Sequence, residues 1–251
     1  MIENNIFKLI EDEQKTEFSK SATVSINNSN IPTLKREIKI ELDTYSVYDS
    51  KSPKQNTNRY YIEFKIKNNP LTITKRNTET LVTLLQNPSN TFPTEKMVID
   101  ETVQNVIKMA YLNGYKKIVV LNTKPLINGN SKATEAKYIN SDNTQKLIIN
   151  SKFIQEYLNN YSKNADFLVA WGTNKSILNE IINNEYIELI NKNFKDRIWA
   201  YDTTKKNYPR HPGSWSPHNN KPVRDFLEKS LNQSSLTFYK INNDGTIQKI
   251  W

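Results

Sequence analysis

The chain has 251 residues, no cysteine, two histidines, five glycines and a formal charge of +9 from 35 Lys and Arg against 26 Asp and Glu. Without cysteine there are no disulfides, thiol nucleophiles or thiolate metal sites, and two histidines argue against a His-rich zinc centre. The few glycines form neither a GxGxxG nor a GxxxxGK[ST] loop, so nucleotide binding of the glycine-loop kind is excluded.

With 36% hydrophobic residues and 13 Tyr, 9 Phe and 4 Trp the composition is that of a folded protein. A chain of this length buries roughly 70–75% of its unfolded surface. The positive excess favours a polyanionic partner, although abundant Lys, Asn and Ile also suit a coding bias. The N-terminus MIENNIFKLIEDEQKTEF carries acidic residues where a signal peptide needs a basic start and an apolar run, and no apolar run reaches membrane-spanning length. The expectation is a soluble cytoplasmic protein with no membrane contact.

In chain order, residues 3–19 fit an amphipathic helix with Ile6, Leu9, Ile10 and Phe18 on one face. The Ser- and Asn-rich stretch 20–34 reads as a loop. Arg36–Leu42 and Tyr60–Ile66 alternate polar and apolar residues, which predicts a long-looped antiparallel hairpin, at an edge or appended because its exposed face is charged. These segments group as an N-terminal extension, 1–75, packed on a domain at 76–251.

From residue 80 four short apolar runs follow: Leu81–Leu85, Ile118–Leu121, Phe167–Ala170 and Ile198–Ala200. Helical periods separate them. Asp100 leads into a stretch where Val103, Val106, Ile107 and Ala110 share a face and Gly114 suits the position after the helix. Ser151–Tyr161 opens on a candidate capping serine, and Asn174–Asn191 carries Ile177, Leu178, Ile181 and Ile182. A last helix at 221–231 and a strand at 235–241 close the chain. Strands alternating with helices predict a three-layer α/β/α fold around a central four-stranded parallel sheet.

Ligands of open parallel sheets bind beyond the carboxyl ends of the strands. There the chain places Gln86-Asn87-Pro88-Ser89, then Asn122-Thr123, then Trp171-Gly172-Thr173, and last a long basic loop with both histidines, His211 and His218. Each has a plain structural reading: Asn-Pro as a turn, Asn122 as a helix cap, Trp171-Gly172 as packing plus a tight turn. Together they put amides and a histidine at one sheet edge. Amides read nucleobase edges, and a neutral histidine donates to a developing oxyanion. In the basic loop Lys205, Lys206, Arg210, Lys221 and Arg224 surround Tyr208 and Trp215. Cations that track phosphates beside aromatics that stack on bases are the pattern of single-strand or flipped-base binding.

The runs LLQNPS, DETVQNVIKMAYLNGYKKIVVLN, DFLVAWG and PRHPG resemble the bacterial domain-of-unknown-function family 1643 over roughly residues 60–215. The same landmarks resemble the uracil-DNA glycosylase superfamily. Its Gly-Gln-Asp-Pro-Tyr-His loop, Leu-Leu-Asn-Thr and Leu-Trp-Gly strand ends and His-Pro-Ser-Pro-Leu-Ser loop occur in this order. Here the matching pieces are Gln86–Ser89, Val120–Thr123, Ala170–Gly172 and His211–Ser216.

The resemblance implies that Asn87 stands where the water-activating Asp is, within a base-binding loop of Gln86, Pro88 and Ser89. Asn122 would read the uracil edge, and His211 would stabilise the departing base. Trp215 would fill the gap left by a flipped nucleotide. Ser214, Ser216 and His218 would join Lys205, Lys206, Arg210 and Trp215 on DNA. No cofactor and no metal are implied.

The departures bear on catalysis. Asn87 cannot take up a proton, and losing a general base costs on the order of 10²–10⁴ in rate. Ser89 replaces the Tyr that excludes thymine. The expectation is a DNA-binding protein of glycosylase fold, a pseudo-enzyme with weak or no base excision. Its partners would be single-stranded or flipped-base DNA and an acidic, DNA-mimicking inhibitor protein. The alternatives are an active uracil or mismatch DNA glycosylase with Asn in the catalytic position, and a nucleotide- or nucleoside-processing enzyme.

Overall fold

A computed structural model describes residues 15–26, 37–54, 56–69, 78–88, 91–93, 97–128, 141–160, 163–201, 203–214 and 238–250. Residues 3–14 of the helix expected at 3–19, and the whole helix expected at 221–231, lie outside the described residues.

The first three strands are β1 (Thr16–Ile26), β2 (Ile38–Tyr48) and β3 (Arg59–Ile66). After β4 (Thr80–Leu85) and the short pair β5 (Phe92–Pro93) and β6 (Met97–Val98) come helix α1 (Glu101–Leu112) and β7 (Lys117–Asn122). Next are α2 (Ser141–Asn160), β8 (Ala165–Leu168), α3 (Lys175–Asn183), α4 (Tyr186–Asn193) and β9 (Ile198–Trp199). A 3-10 turn at Pro212–Ser214 precedes a small hairpin of β10 (Tyr239–Ile241) and β11 (Ile247–Lys249).

The fold is mixed α/β. One sheet of seven strands runs in the order β1-β2-β3-β7-β4-β8-β9. Its last four strands are parallel to one another and its first three antiparallel. The central sheet is therefore larger than the expected four strands. The hairpin, expected at an edge or as an appendage, is continuous with it: β3 pairs with β7 from Ile62↔Val120 to Lys65↔Lys117. The charges on the hairpin line its open face, where Lys67 pairs with Asp43 at 2.9 Å.

Over residues 16–26 the outer strand β1 stands where the end of a helix, to residue 19, and the start of a loop, from residue 20, are expected. Ser, Thr and Lys alternate there with Ala22, Val24 and Ile26, which are buried. Side chains of a strand point alternately to its two faces, so this is a strand pattern despite its polar composition. Eleven residues pair with β2, and Phe18 packs edge-on against Tyr48.

The parallel strands are buried on both faces, as continuous apolar runs require. Leu81, Leu85, Ile118 and Val120 pack with Val103, Val106, Ile107 and Ala110 of α1, together with Val24, Ile40 and Leu42 of β1 and β2. Val82, Leu84, Val119 and Leu121 face the other way, onto Phe153, Ile154, Ile177, Ile181 and Ile190 of α2, α3 and α4. The chain crosses from one face to the other between β4 and its neighbours. In open parallel sheets such a switch point is where ligands bind, at the carboxyl edge.

Helix α1 starts and stops as the sequence predicts. The Asp100 side chain accepts from Val103 N at 3.2 Å, and Gly114 follows with φ +79°. Helix α2 begins ten residues before the serine expected to cap it. Ser151 lies mid-helix and donates to Asn184 Oδ1 at 2.6 Å. The first half of α2 carries few apolar residues, so periodicity shows only in the second half. The expected strand at 235–241 is confined to β10 among the described residues, with Phe238 bridging Trp199. No helix among the described residues is long and apolar enough to cross a membrane.

Candidate functional site

The parallel register sets Leu85 beside Asn122, so the segments leaving β4 and β7 start side by side. They stay together. Thr123 N donates to Leu85 O at 2.8 Å, Lys124 N to Gln86 O at 2.8 Å, and Asn128 N to Pro88 O at 2.9 Å. From the other side Arg59 N donates to Pro125 O at 2.8 Å, because antiparallel β3 begins where β7 ends. The carboxyl edge thus has a wall built from three segments.

Asn122 lies at its base, 3% exposed. Its Oδ1 accepts from Arg59 Nη2 at 3.1 Å, and its backbone oxygen accepts from Asn150 Nδ2 at 2.8 Å. Arg59 is itself 2% exposed, and its Nη1 donates to Thr91 O at 3.0 Å. Burial lowers the guanidinium's pKa, opposed by the neighbouring Tyr48 and by the negative charge of Asp100. Thr91 Oγ1 donates to the Asp100 carboxylate, and Asp100 N returns a bond to Thr91 Oγ1 at 3.0 Å.

Asp100 also acts on His211. Burial lowers the His211 pKa, and the Asp100 charge raises it in part. The loop carrying His211 docks on α1, where Asn105 Nδ2 donates to Pro212 O at 3.0 Å. Gly213 N donates to His211 Nδ1 at 3.1 Å, which requires that nitrogen to be unprotonated. A neutral His211 therefore carries its proton on Nε2 and is a donor there.

The lowered pKa has a consequence for stability. The unfolded chain takes up this proton near the ordinary value of 6.5, before the native state does. The native advantage is whole above that pH and is lost as pH falls through the folded pKa. Urea midpoints measured from pH 7.5 to 5 should fall in the native protein, and His211→Gln should remove that part of the slope.

Gly172, at the end of β8, supports the same histidine. A Cβ added there would stand 3.1 Å from the His211 Cβ, and the backbone has φ +78°. Gly172→Ala is expected to cost about 1–2 kcal/mol, from the left-handed backbone and the crowded loop. Thermal unfolding measures it.

Asn87 is half-buried, and its Nδ2 donates to the carbonyls of Asn128 and Pro88, while its Oδ1 has no hydrogen-bond partner among the described residues. Gln86 Oε1 accepts from Asn174 Nδ2 at 3.1 Å, tying this loop to the start of α3. Among the residues expected at the site, Gln86, Asn87, Pro88 and Asn122 are thus brought together. Arg59, which holds Asn122, and His211 both feel the charge of Asp100.

The Trp171 reading changes. Trp171 is 1% exposed and donates from Nε1 to Gly245 O at 3.1 Å, so it is core rather than crevice lining. Lys205 and Lys206 are exposed on a tight turn pinned by Ile247 N donating to Asn207 O, and among the described residues no hydrogen bond ties them to Asn87 or Asn122. Arg210 is half-buried beside His211. Ser214 ends the 3-10 turn; Ser89, Trp215, Ser216 and His218 lie outside the described residues.

Three site residues were not singled out from the sequence. Arg59 and Asp100 sat in segments read as an appendage and as a helix start. Lys124 is 4% exposed and donates from Nζ to Ser176 Oγ at 2.6 Å, behind the same wall. Among the described residues no group of three or more acidic or histidine side chains could hold a metal ion.

A groove of about 620 Å³ also lies on the open face of β1–β3, lined by Lys20, Lys65 and Lys67 with Asp43 and Glu63. The pairing of Lys65 with Lys117 puts it toward the amino end of β7, away from the carboxyl-edge site.

Fold and site together define an α/β protein with a cluster of polar side chains at the carboxyl edge of its parallel strands, beside a buried arginine. The family model for the protein of unknown function DUF1643 matches residues 59–213, more than half of the chain, and the protein belongs to that family. The matched span holds Arg59, Asn87, Asp100, Asn122 and His211. No curated protein and no solved structure matches the chain.

Proposed function

We propose that this chain is a DNA-binding protein of uracil-DNA glycosylase type, acting in the cytoplasm, whose carboxyl-edge crevice receives a nucleobase from single-stranded DNA or a flipped nucleotide. The observation that supports the reading is a buried carboxamide at Asn122 held by Arg59, with a His211 whose Nδ1 accepts from Gly213 N so that its neutral form donates from Nε2. A carboxamide reads a base edge, and a neutral imidazole donates to its oxygen without bringing a full charge. Lys205, Lys206 and Arg210 supply cations for the phosphates on the strand's path toward His211. An acidic protein that mimics DNA would use the same cations.

Base excision is weak or absent in this reading. Asn87 has no proton-accepting group, and its nearest neighbours are carbonyls. One observation favours an active glycosylase as the second reading. With Nδ2 engaged, Asn87 offers an oxygen that can orient a water without deprotonating it.

Fluorescence anisotropy with a labelled single strand tests the proposal. Affinity should fall with salt, with a slope of about −0.7 in log–log terms per cation engaged. The combined Lys205→Ala, Lys206→Ala and Arg210→Ala variant should flatten that slope. A salt-independent affinity, or a slope unmoved in the triple variant, refutes the DNA reading. Incubation with a uracil-bearing strand followed by alkali separates binding from excision.

A further inference from the structure

We propose that the hairpin β10–β11 and the turn at 204–208 form one rigid basic surface that binds the phosphates of a duplex arm flanking the carboxyl-edge site, with Lys240 and Lys249 as its contacts. The inference rests on the DNA reading above and adds to it a second surface and the form of DNA that it takes.

Two segments far apart in sequence assemble this surface. Ile247 N of β11 donates to Asn207 O at 2.8 Å, so the turn that carries Lys205 and Lys206 lies along one edge of the hairpin. Thr204 N donates to Tyr208 O at 2.8 Å and closes that turn, in which Asn207 has φ +60°. The other edge is held by α4: the Asn191 side chain donates to Ile241 O at 2.8 Å and accepts from Ile241 N at 3.2 Å. With Trp171 Nε1 on Gly245 O, the hairpin is fixed at both edges and at its tip.

The charge of this surface has one sign. Ile241 and Ile247 are buried, whereas Lys205, Lys206, Lys240 and Lys249 are exposed. Residues 203–214 hold three cations and no acid, and residues 238–250 hold Lys240 and Lys249 against Asp244 alone. The Asp244 carboxylate is engaged within its own turn, accepting from Thr246 N at 3.0 Å and Thr246 Oγ1 at 2.6 Å. The 204–208 turn and β10 are two strand spacings apart, about 10 Å, which is near the Debye length of physiological salt, so one polyanion feels these cations together. Single strands are held by aromatic faces on which bases stack. Here Lys240 and its cross-strand partner Gln248 are exposed while Tyr208 and Tyr239 are half-buried, so the exposed positions offer charge without an aromatic face. Such a surface positions a phosphate backbone and reads no base, and duplex DNA presents that backbone at its highest charge density.

Anisotropy compares two labelled substrates that carry uracil in the same single-stranded sequence, one bare and one flanked by duplex arms. The native protein should bind the flanked substrate about tenfold more tightly at low salt, with a log–log salt slope steeper by about 1.8, or about 0.9 for each of the two lysines. Lys240→Gln with Lys249→Gln should abolish both differences and leave the affinity for the bare strand as it was. Lys240→Arg with Lys249→Arg keeps the charges and should keep the advantage. If the two lysines only supported the fold, the glutamine pair would weaken the bare strand as well, and that result counts against the proposal. Equal affinity of the native protein for the two substrates, or an advantage unmoved in the glutamine pair, overturns the inference while leaving DNA binding at the carboxyl edge intact. An unmoved advantage together with a lost affinity for poly-L-glutamate in the glutamine pair also overturns it, and gives the surface to an acidic protein. Failure of both substrates to bind removes the DNA reading and this inference with it.

Discussion

Arg59→Ala should lower the stability of the protein by about 3–5 kcal/mol, the range seen when one member of a buried charged network is removed. The side chain is buried, so truncation leaves a cavity. It also leaves Asn122 Oδ1 without its donor, Thr91 O with only the longer 3.4 Å bond from Tyr48 Oη, and Asp100 without the positive charge of Arg59. Each stranded acceptor adds to the loss. Urea unfolding followed by far-UV circular dichroism measures it. A loss below about 1 kcal/mol would mean that the network is not formed as described, since even a single net hydrogen bond is worth that much. Arg59 lies in β3, so the same measurement shows how firmly the antiparallel strands are joined to the parallel ones.

Trp171→Ala should cost a similar amount, about 3–5 kcal/mol, by loss of a large core side chain. Trp171 packs among Ile177, Leu178 and Ile181 and holds the turn of the β10–β11 hairpin through Gly245 O. That turn is tight against its support. A Cβ at Gly245 would come 2.7 Å from Leu178 Cδ2, and its φ is +80°. Trp171→Phe keeps most of the packing and loses the hydrogen bond, so about 1–2 kcal/mol is expected. Comparable losses for the two variants would show that the indole N–H, rather than the ring's bulk, dominates. If the proposed DNA site lies at the carboxyl edge, Trp171→Phe should bind a single strand as the native protein does, because Trp171 is buried in the core.

Trp171 illustrates which part of the site was legible in the sequence. Strand ends could be found because buried parallel strands are short, continuous apolar runs, and that placed Asn87, Asn122 and His211 at one edge. Helix α1 was legible through Asp100, the spacing of Val103, Val106, Ile107 and Ala110, and Gly114. Which end residues face a ligand and which face the core depends on packing by distant segments. For Trp171 the decisive partner is Gly245, seventy-four residues away. Strand β1 was hidden by serines and threonines at its exposed positions, where composition suggests a loop although the alternation is that of a strand. Helix α2 was half hidden because its first half is polar.

Arg59 was the most consequential omission. Its importance comes from antiparallel pairing of β3 with β7, which brings the start of one strand to the end of the other. A local pattern does not carry that information. Asp100 was read as a helix cap, and it is one, but the same carboxylate also acts on Arg59 and His211. One residue serves the helix start and the site because α1 begins at the carboxyl edge.

The central claim is that the carboxyl-edge crevice, and not another surface, receives the base. Backbone amide NMR of the isotope-labelled protein, titrated with a uracil-bearing single strand, tests it most directly. The account predicts shifts clustered at Gln86–Pro88, Asn122–Lys124, Gly172 and Arg210–Gly213, with the Asn122 side-chain NH₂ pair among those that move most. Shifts confined to the open face of β1–β3, around Lys20, Lys65 and Lys67, would contradict it.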